Sequence, residues 1–83
     1  MLLPIVHRNG TSKEALLEQV CIVGRALGDV LRAMADTAPN QRDYYPESGR
    51  WEKALTEYAH RVETITVMRE VYRAAADCLA DMD

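Results

Sequence analysis

Apolar residues recur every three or four positions in two long stretches of the chain, and a polar stretch separates them. The first repeat is carried by Leu16, Val20, Val23, Leu27, Val30 and Met34. The second is carried by Trp51, Leu55, Tyr58, Val62, Ile65, Tyr72, Ala76 and Leu79, with Arg69 as an interruption. This spacing places apolar side chains on one face of an α-helix. The pattern therefore predicts an all-α protein with two long helices.

The polar stretch between the two repeats predicts a loop. Pro39 and Pro46 both disfavour the helical conformation in the residue that precedes them. A loop of this length between long helices is typical of an antiparallel two-helix hairpin. We predict a single domain over residues 1–83, with an arm over 1–10, helix 1 over 11–38, the loop over 39–47 and helix 2 over 48–82.

Local signals add detail to the helices. Thr11 followed by Glu14 fits a capping box, which makes Thr11 the expected N-cap and Ser12 the first helical residue. Ser48 is a candidate cap for helix 2. Gly24 and Gly28 lie four residues apart on one face, and each costs about 1 kcal/mol relative to alanine. We expect close approach of another backbone at these glycines, with a glycine kink as the alternative.

The beginning of the chain predicts an extended N-terminal arm. Pro4 is incompatible with a helix interior, and its neighbours Leu2, Leu3, Ile5 and Val6 are apolar. Such an arm packs on its own hairpin or crosses to a partner chain, and we favour the partner. Two broad apolar stripes also exceed what one hairpin can bury. The chain is therefore expected to form a homodimer or higher oligomer, most simply a four-helix bundle.

Composition excludes several classes of protein. The 83 residues carry a net charge of −3, which does not suit DNA or RNA. No apolar run approaches the roughly 18 residues of a membrane span, and the apolar start lacks the features of a secretion signal. We expect a soluble protein of the cytoplasm. Cys21 and Cys78 are interpreted as buried, reduced residues, although a disulfide between the helices is geometrically open.

The segment that leads into helix 1 is the first candidate binding site. It contains His7, Asn9, Gly10, Thr11 and Ser12, and it is locally basic. A glycine lets backbone approach a ligand, hydroxyls can donate, and the free amides of a helix N-terminus favour an anion. A phosphate-bearing small molecule would suit these groups. The alternative is a capped helix start with a solvated basic flank.

The loop is the second candidate binding site. Arg42 and Arg50 offer bidentate donors, and Tyr44, Tyr45 and Trp51 offer stacking faces. This combination holds a base with a phosphate, and it is also typical of a protein–protein hot spot. A third possibility is that the tyrosines only pin the loop to the helix ends.

Helix 2 also carries Glu57-x-x-His60, the spacing of carboxylate-bridged metal sites, for which Glu18 could supply a further ligand. Both residues lie on the flank of the apolar stripe, so we expect no metal site and interpret His60 as a rim residue of a ligand site. No pair of residues stands out as general acid and base, and neither cysteine has basic surroundings. We expect a non-enzymatic protein without a cofactor.

Several blocks of the sequence resemble a family of small, mostly uncharacterised proteins of tailed phages and prophages. They are Ile5-Val6-His7, Asn9-Gly10-Thr11-Ser12, Glu14-x-Leu16-Leu17-Glu18-Gln19, Ala38-Pro39-Asn40, Arg42-Asp43-Tyr44-Tyr45 and His60-Arg61. The resemblance implies a context in host defence. Small oligomeric helical phage proteins often sequester the nucleotide second messengers of bacterial immunity, and others block a defence protein directly.

The residues and the resemblance together predict a phage anti-defence protein in the host cytoplasm. It would bind and sequester a nucleotide-type second messenger at a pocket formed by the helix 1 entry and the loop. The arm of one chain could reach the loop of another. The alternative is a protein-binding inhibitor of a host defence factor without a small-molecule ligand. A structural or assembly accessory of the phage is a third interpretation.

Overall fold

Two long helices and a short one make up the protein. The computed structural model describes residues 1–47 and 49–82. Its elements are helix α1 (Lys13–Ala35), a 3-10 helix (Gln41–Tyr44) and helix α2 (Arg50–Ala80). The described residues contain no strand. The predicted all-α fold with two helices in a hairpin is confirmed, while each helix is shorter than the sequence pattern predicted.

Helix α1 begins one residue later than predicted. Ser12 is its N-cap, with φ −66° and ψ 154°, and the Ser12 side chain accepts a hydrogen bond from the Ala15 amide at 3.1 Å. The prediction that Thr11 caps the helix is therefore wrong. Serine caps slightly better than threonine. The shifted register leaves Glu14 in the first turn, where its charge favours the positive end of the helix.

Helix α1 ends at Ala35, three residues before the predicted Ala38. Asp36 is the C-cap, and the backbone amide and the hydroxyl of Thr37 both donate to the Met34 carbonyl, at 2.9 and 2.8 Å. These bonds satisfy a carbonyl that the next helical turn would otherwise bind. Threonine side chains often compete for backbone partners in this way and so favour the end of a helix. The apolar pattern alone does not contain this information.

Helix α2 begins at Arg50 and ends at Ala80, inside the predicted range of 48–82. The residue before it, Gly49, has φ +90°, a conformation that glycine adopts without the steric cost of a Cβ atom. The predicted cap at Ser48 lies outside the described residues. The Tyr45–Pro46 peptide bond is cis.

Contacts at three levels hold the helices together. Near one end, the Lys13 ammonium donates to the Met82 carbonyl. Near the middle, the Arg69 guanidinium lies over Gly28. Near the other end, the Tyr58 hydroxyl donates to the Met34 carbonyl at 3.1 Å. The resulting hairpin is a rod that measures 63 × 18 × 17 Å.

The two glycines of α1 do not meet another backbone. A Cβ atom at Gly28 would lie 3.4 Å from the Arg69 guanidinium carbon, whereas a Cβ at Gly24 would have no neighbour within 4 Å. The prediction of a close backbone approach is therefore wrong. Gly28 instead lies beneath the long side chain of Arg69, which a Cβ atom there would touch at an ordinary van der Waals distance, and Gly24 faces open space.

The hairpin buries very little apolar surface. Among the described residues, only Ala75 and Leu79 are buried hydrophobic side chains, and Gly28 is also buried. Large side chains on α2 remain exposed, including Val67 (56%) and Met68 (45%). A core is a cluster of buried side chains, each of which typically touches six to twelve others. With only two buried apolar side chains among its described residues, this hairpin has almost no core of its own.

Several exposed or half-buried apolar residues lie on one flank of the hairpin, whereas the exposed Ile22 and Leu55 lie outside this set. A groove on the opposite side is lined by Cys21 and Arg25 from α1 and by Arg73 and Asp77 from α2, among others. Because an α-helix has 3.6 residues per turn, the flank of each helix that faces away from this groove carries different residues. We call this set the apolar face: Leu16, Val23 and Val30 of α1, and Val67, Met68 and Val71 of α2.

The N-terminal arm has no regular secondary structure over residues 1–7, followed by a turn. Leu2 and Ile5 are 97% and 85% exposed, while Leu3 and Val6 are half-buried. The single chain thus covers only part of its arm. Cys21 is half-buried and Cys78 is exposed, and both are free thiols. The prediction that Cys78 is buried is wrong, because this position lies outside the contact between the helices.

Candidate functional site

The loop is folded around the side chain of Asn40. Its Oδ1 accepts a hydrogen bond from the Arg42 amide at 3.0 Å, and its carbonyl accepts one from the Asp43 amide at the same distance. Asparagine commonly bonds its own backbone two residues on, which starts a turn. These bonds cap the 3-10 helix and fix where Arg42 and Tyr44 leave the backbone.

Trp51 fastens the loop to helix α2. Its indole N–H donates to the Pro39 carbonyl at 3.3 Å, and the side chain is half-buried. A buried indole N–H usually finds such a partner. Trp51 therefore joins the start of the loop to the first turn of α2.

The loop and the first turn of α2 line an open cavity of about 630 Å³. Four predicted site residues, Arg42, Tyr44, Tyr45 and Trp51, are brought together in its lining. Tyr45 is 85% exposed and Tyr44 is half-buried, so an aromatic face is open to a ligand. The remaining lining residues are Asn40, Gln41, Pro46, Glu47, Gly49 and Glu52. We refer to this space as the loop cavity.

The charges around the loop cavity are mixed. Arg42 is the single cationic residue in its lining, whereas Glu47 and Glu52 are both acidic. The predicted site residue Arg50 does not line the cavity, and its guanidinium pairs with the Glu47 carboxylate at 3.0 Å. Both partners are about two-thirds exposed, so water and salt screen this pair strongly. Within one chain, the loop cavity alone is electrostatically weak for an anion.

Sequence reasoning overlooked the two glutamates. Glu47 precedes Arg50 by three residues, the spacing at which side chains meet across a helical turn. Glu52 follows Trp51 in the first turn of α2. Glu47 could have been assigned to the rim of the loop from its spacing to Arg50, and Glu52 from its position next to Trp51.

The helix 1 entry is a compact turn. The Gly10 amide donates to the His7 carbonyl at 3.1 Å, and a Cβ atom at Gly10 would lie 2.6 Å from His7 Nε2. The His7 imidazole thus covers Gly10, and it can keep this position only while residue 10 has no side chain. The Ser12 hydroxyl is used by the cap, whereas Thr11 and Asn9 are exposed.

The helix entry and the loop cavity lie at opposite ends of one chain. Lys13 contacts Met82 at the far end of α2, whereas Trp51 contacts Pro39 beyond the end of α1. The 23 residues of α1 span roughly 34 Å at 1.5 Å per residue. A single chain therefore does not bring the two halves of the predicted pocket together.

His60 also lies apart from the loop cavity. It is exposed, and it follows Trp51 by nine residues of helix α2. Nine residues make 2.5 turns and advance roughly 13 Å, so the two side chains leave opposite sides of the helix. His60 therefore does not contribute to the loop cavity within one chain.

The described part of the chain holds no group of three or more His, Cys, Asp and Glu side chains placed to bind a metal ion. Glu57 and His60 thus have no third ligand among residues 1–47 and 49–82. Neither α1 nor α2 combines the length and the apolar character that crossing a membrane requires. Comparisons with known protein families, curated proteins and solved structures find no match to this chain.

Proposed function

We propose that this is a phage-encoded anti-defence protein that binds and sequesters a nucleotide-type immune second messenger in the cytoplasm of the host. The observation that carries the proposal is the loop cavity. Its volume of about 630 Å³ falls within the roughly 300–1,000 Å³ of small-molecule sites. Its lining combines an arginine with open aromatic rings, the side chains that hold a base and a phosphate.

Each residue of the loop cavity has a role in this proposal. The Arg42 guanidinium makes no ion pair with any carboxylate of the described residues, so its donors are available to a phosphate. Tyr45 presents a mostly exposed ring on which a base can stack. Trp51 holds the loop through its N–H and offers the face of its ring to the cavity.

The proposed site is completed by a second chain. Because two glutamates accompany Arg42, a phosphate needs further positive groups. The helix entry supplies them as Arg8 and Lys13, and the His7 imidazole and the amides at the N-terminus of α1 offer further donors. Two copies related by a two-fold axis perpendicular to the rod would place the entry of each chain beside the loop of the other.

Assembly through the apolar face supports this arrangement. The three levels of contact between α1 and α2 favour an antiparallel hairpin, whose two helices both contribute to that face. The hairpin hides few of its apolar side chains, and soluble proteins rarely leave such a surface open. We propose a homodimer or a higher oligomer, with the exposed Leu2 and Ile5 of the arm packing on a partner.

A thermal-shift screen of the purified protein against cyclic di- and trinucleotides and ADP-ribose derivatives tests the proposal. A ligand at 100 times its dissociation constant stabilises the native state by about 2.7 kcal/mol. The shift should disappear in Arg42→Ala and persist in Arg32→Ala, a matched control on the exposed side of α1. Absence of any shift, or a shift that survives Arg42→Ala, would contradict binding in the loop cavity.

The exposure of Tyr45 favours a second candidate function, inhibition of a host defence protein. Aromatic residues and arginine dominate binding hot spots between proteins, and here Tyr45 (85% exposed) lies beside Arg42. This candidate predicts that the protein captures one host protein without any small molecule, and that Tyr45→Ala abolishes the capture. Capture that requires an added nucleotide would contradict it.

A further inference from the structure

A second concave surface lies between the helices, near the middle of the hairpin. It is a groove of about 240 Å³, lined by Val20, Cys21, Gly24, Arg25, Arg69, Tyr72, Arg73, Ala76 and Asp77. We call it the arginine groove. It shares no residue with the loop cavity, and the proposed function does not use it.

One glycine of α1 leaves open space in this groove, and a second lies beside it. Gly24 lines it, and a Cβ atom there would have no neighbour within 4 Å. One turn later, Gly28 is buried beneath the Arg69 guanidinium. Each glycine costs the helix about 1 kcal/mol relative to alanine. This part of α1 is therefore a less stable helix than an alanine sequence would be, and it lies beside a concave, cationic surface.

Arg69 occupies an unusual place for a charged residue. It interrupts the apolar repeat of α2 and lies half-buried against α1. Among the described residues, its guanidinium forms no hydrogen bond or ion pair with another side chain. A partly desolvated charge is costly unless a counter-ion accompanies it. This arginine thus provides donors that no other described side chain occupies.

The other charges of the groove increase the positive potential. Arg25 and Arg73 line it with Arg69, and Asp77 is the single acidic residue of the lining. Arg73 has a loose contact with Glu70 at 3.8 Å, and both side chains are more than half exposed. An ion pair of this kind contributes little and exchanges readily for a better anion. The groove is cationic although the chain has a net charge of −3.

We propose that the arginine groove is a second binding site, specific for a small phosphate anion such as pyrophosphate or the phosphate group of a larger ligand. Guanidinium groups match phosphate oxygens through paired hydrogen bonds, and Tyr72 places a phenol beside them. The volume of about 240 Å³ lies below the range of drug-sized ligands and suits one or two phosphate groups. The lining of the groove shares no residue with the apolar face, so the proposed assembly through that face would not use the groove.

Pyrophosphate is the probe, and isothermal titration calorimetry is the measurement. Titrations in an Arg42→Ala background exclude binding at the loop cavity, so this test does not depend on the proposed function. Arg69→Met removes the charge and keeps a long side chain. Gly24→Leu fills the open space of the groove and should strengthen the helix. Both changes should weaken pyrophosphate binding about tenfold or more, the effect of losing a charge-assisted hydrogen bond.

Arg32→Met is the matched control, because it removes the same charge from an exposed position outside the groove. It should leave the affinity within about twofold of the Arg42→Ala protein. Gly24→Leu remains decisive if Arg69→Met unfolds, which circular dichroism would reveal. Undetectable pyrophosphate binding, or binding that Gly24→Leu leaves unchanged, would overturn the proposal.

Discussion

Substitution of Met68 by glutamate should dissociate the proposed assembly. Met68 lies on the apolar face and is 45% exposed in the hairpin. Burying a whole methionine side chain contributes about 1.5–3 kcal/mol, so covering the exposed part would contribute about 0.7–1.4 kcal/mol in each chain. In a two-fold dimer the residue counts twice, which gives about 1.4–2.7 kcal/mol before the cost of an unpaired carboxylate.

The loss corresponds to a dissociation constant raised about 10- to 100-fold from the apolar term alone, and further from the buried charge. Sedimentation equilibrium or light scattering measures it directly as the average mass at a given concentration. Ala59→Glu is the matched control. This exposed residue precedes Met68 by nine positions, or 2.5 helical turns, so the same charge enters the opposite side of α2.

Two results would refute this reasoning. One is an unchanged mass for Met68→Glu, which would show that the assembly does not use the apolar face. The other is dissociation by Met68→Glu and Ala59→Glu alike, which would indicate a general effect of charge on α2. Circular dichroism should show that the helices of both variants remain folded, since the hairpin itself leaves both positions partly open to water.

Three further substitutions test the start of α2, the helix entry and the contact between the two helices. Gly49→Ala places a Cβ on a residue with φ +90°, which costs about 1–2 kcal/mol of folding stability and should lower the melting temperature by several degrees. An unchanged melting temperature would show that the backbone at residue 49 relaxes without this cost. Gly10→Ala should displace the His7 imidazole, 2.6 Å away, and weaken ligand binding at an unchanged melting temperature; full affinity would remove His7 from the site. Tyr58→Phe should cost only about 0.5–1 kcal/mol in chemical denaturation, because the Met34 carbonyl keeps its hydrogen bonds from Thr37; a loss above about 2 kcal/mol would contradict this.

The two-helix fold could be predicted from the sequence because its signals are periodic and long. The apolar repeat identified both helices, and the prolines identified the loop. The ends of the helices depended on single hydrogen bonds instead. Thr11 and Ser12 offer nearly equivalent caps, and Thr37 binds back to Met34 within a stretch that looks helical by composition. Choices of this kind differ by fractions of a kcal/mol and leave no trace in an apolar pattern.

The candidate site could be predicted only in part. Arg42, Tyr44, Tyr45 and Trp51 were recognised by residue type, and the structure places them around one cavity. The acidic residues of its rim were overlooked: Glu52 lies in the first turn of α2, where charges usually face water, and Glu47 lies in the loop before it. The distance between the helix entry and the loop follows from helix length, and it means that a pocket containing both needs the arm of a second chain, as the sequence-based hypothesis also required.

The contact between Arg69 and Gly28 could not be predicted from the apolar repeat. In the sequence it is an interruption of the apolar repeat, and Gly28 is a costly residue on a different helix. The structure joins them, with the guanidinium 3.4 Å from where a Cβ of Gly28 would lie. A paired anomaly of this kind, a charge on one contact stripe and a glycine on the other, could be sought in other helical hairpins.

Recovery of an intact ligand is the measurement that most directly tests sequestration. The protein is mixed with the nucleotide that gives the largest thermal shift, free nucleotide is removed by gel filtration, and the bound fraction is released by heat and analysed by mass spectrometry. Binding in the shared pocket predicts chemically unchanged nucleotide with one molecule per loop cavity, and none with the Arg42→Ala protein. Degraded nucleotide, or no nucleotide retained by the wild-type protein, would contradict it.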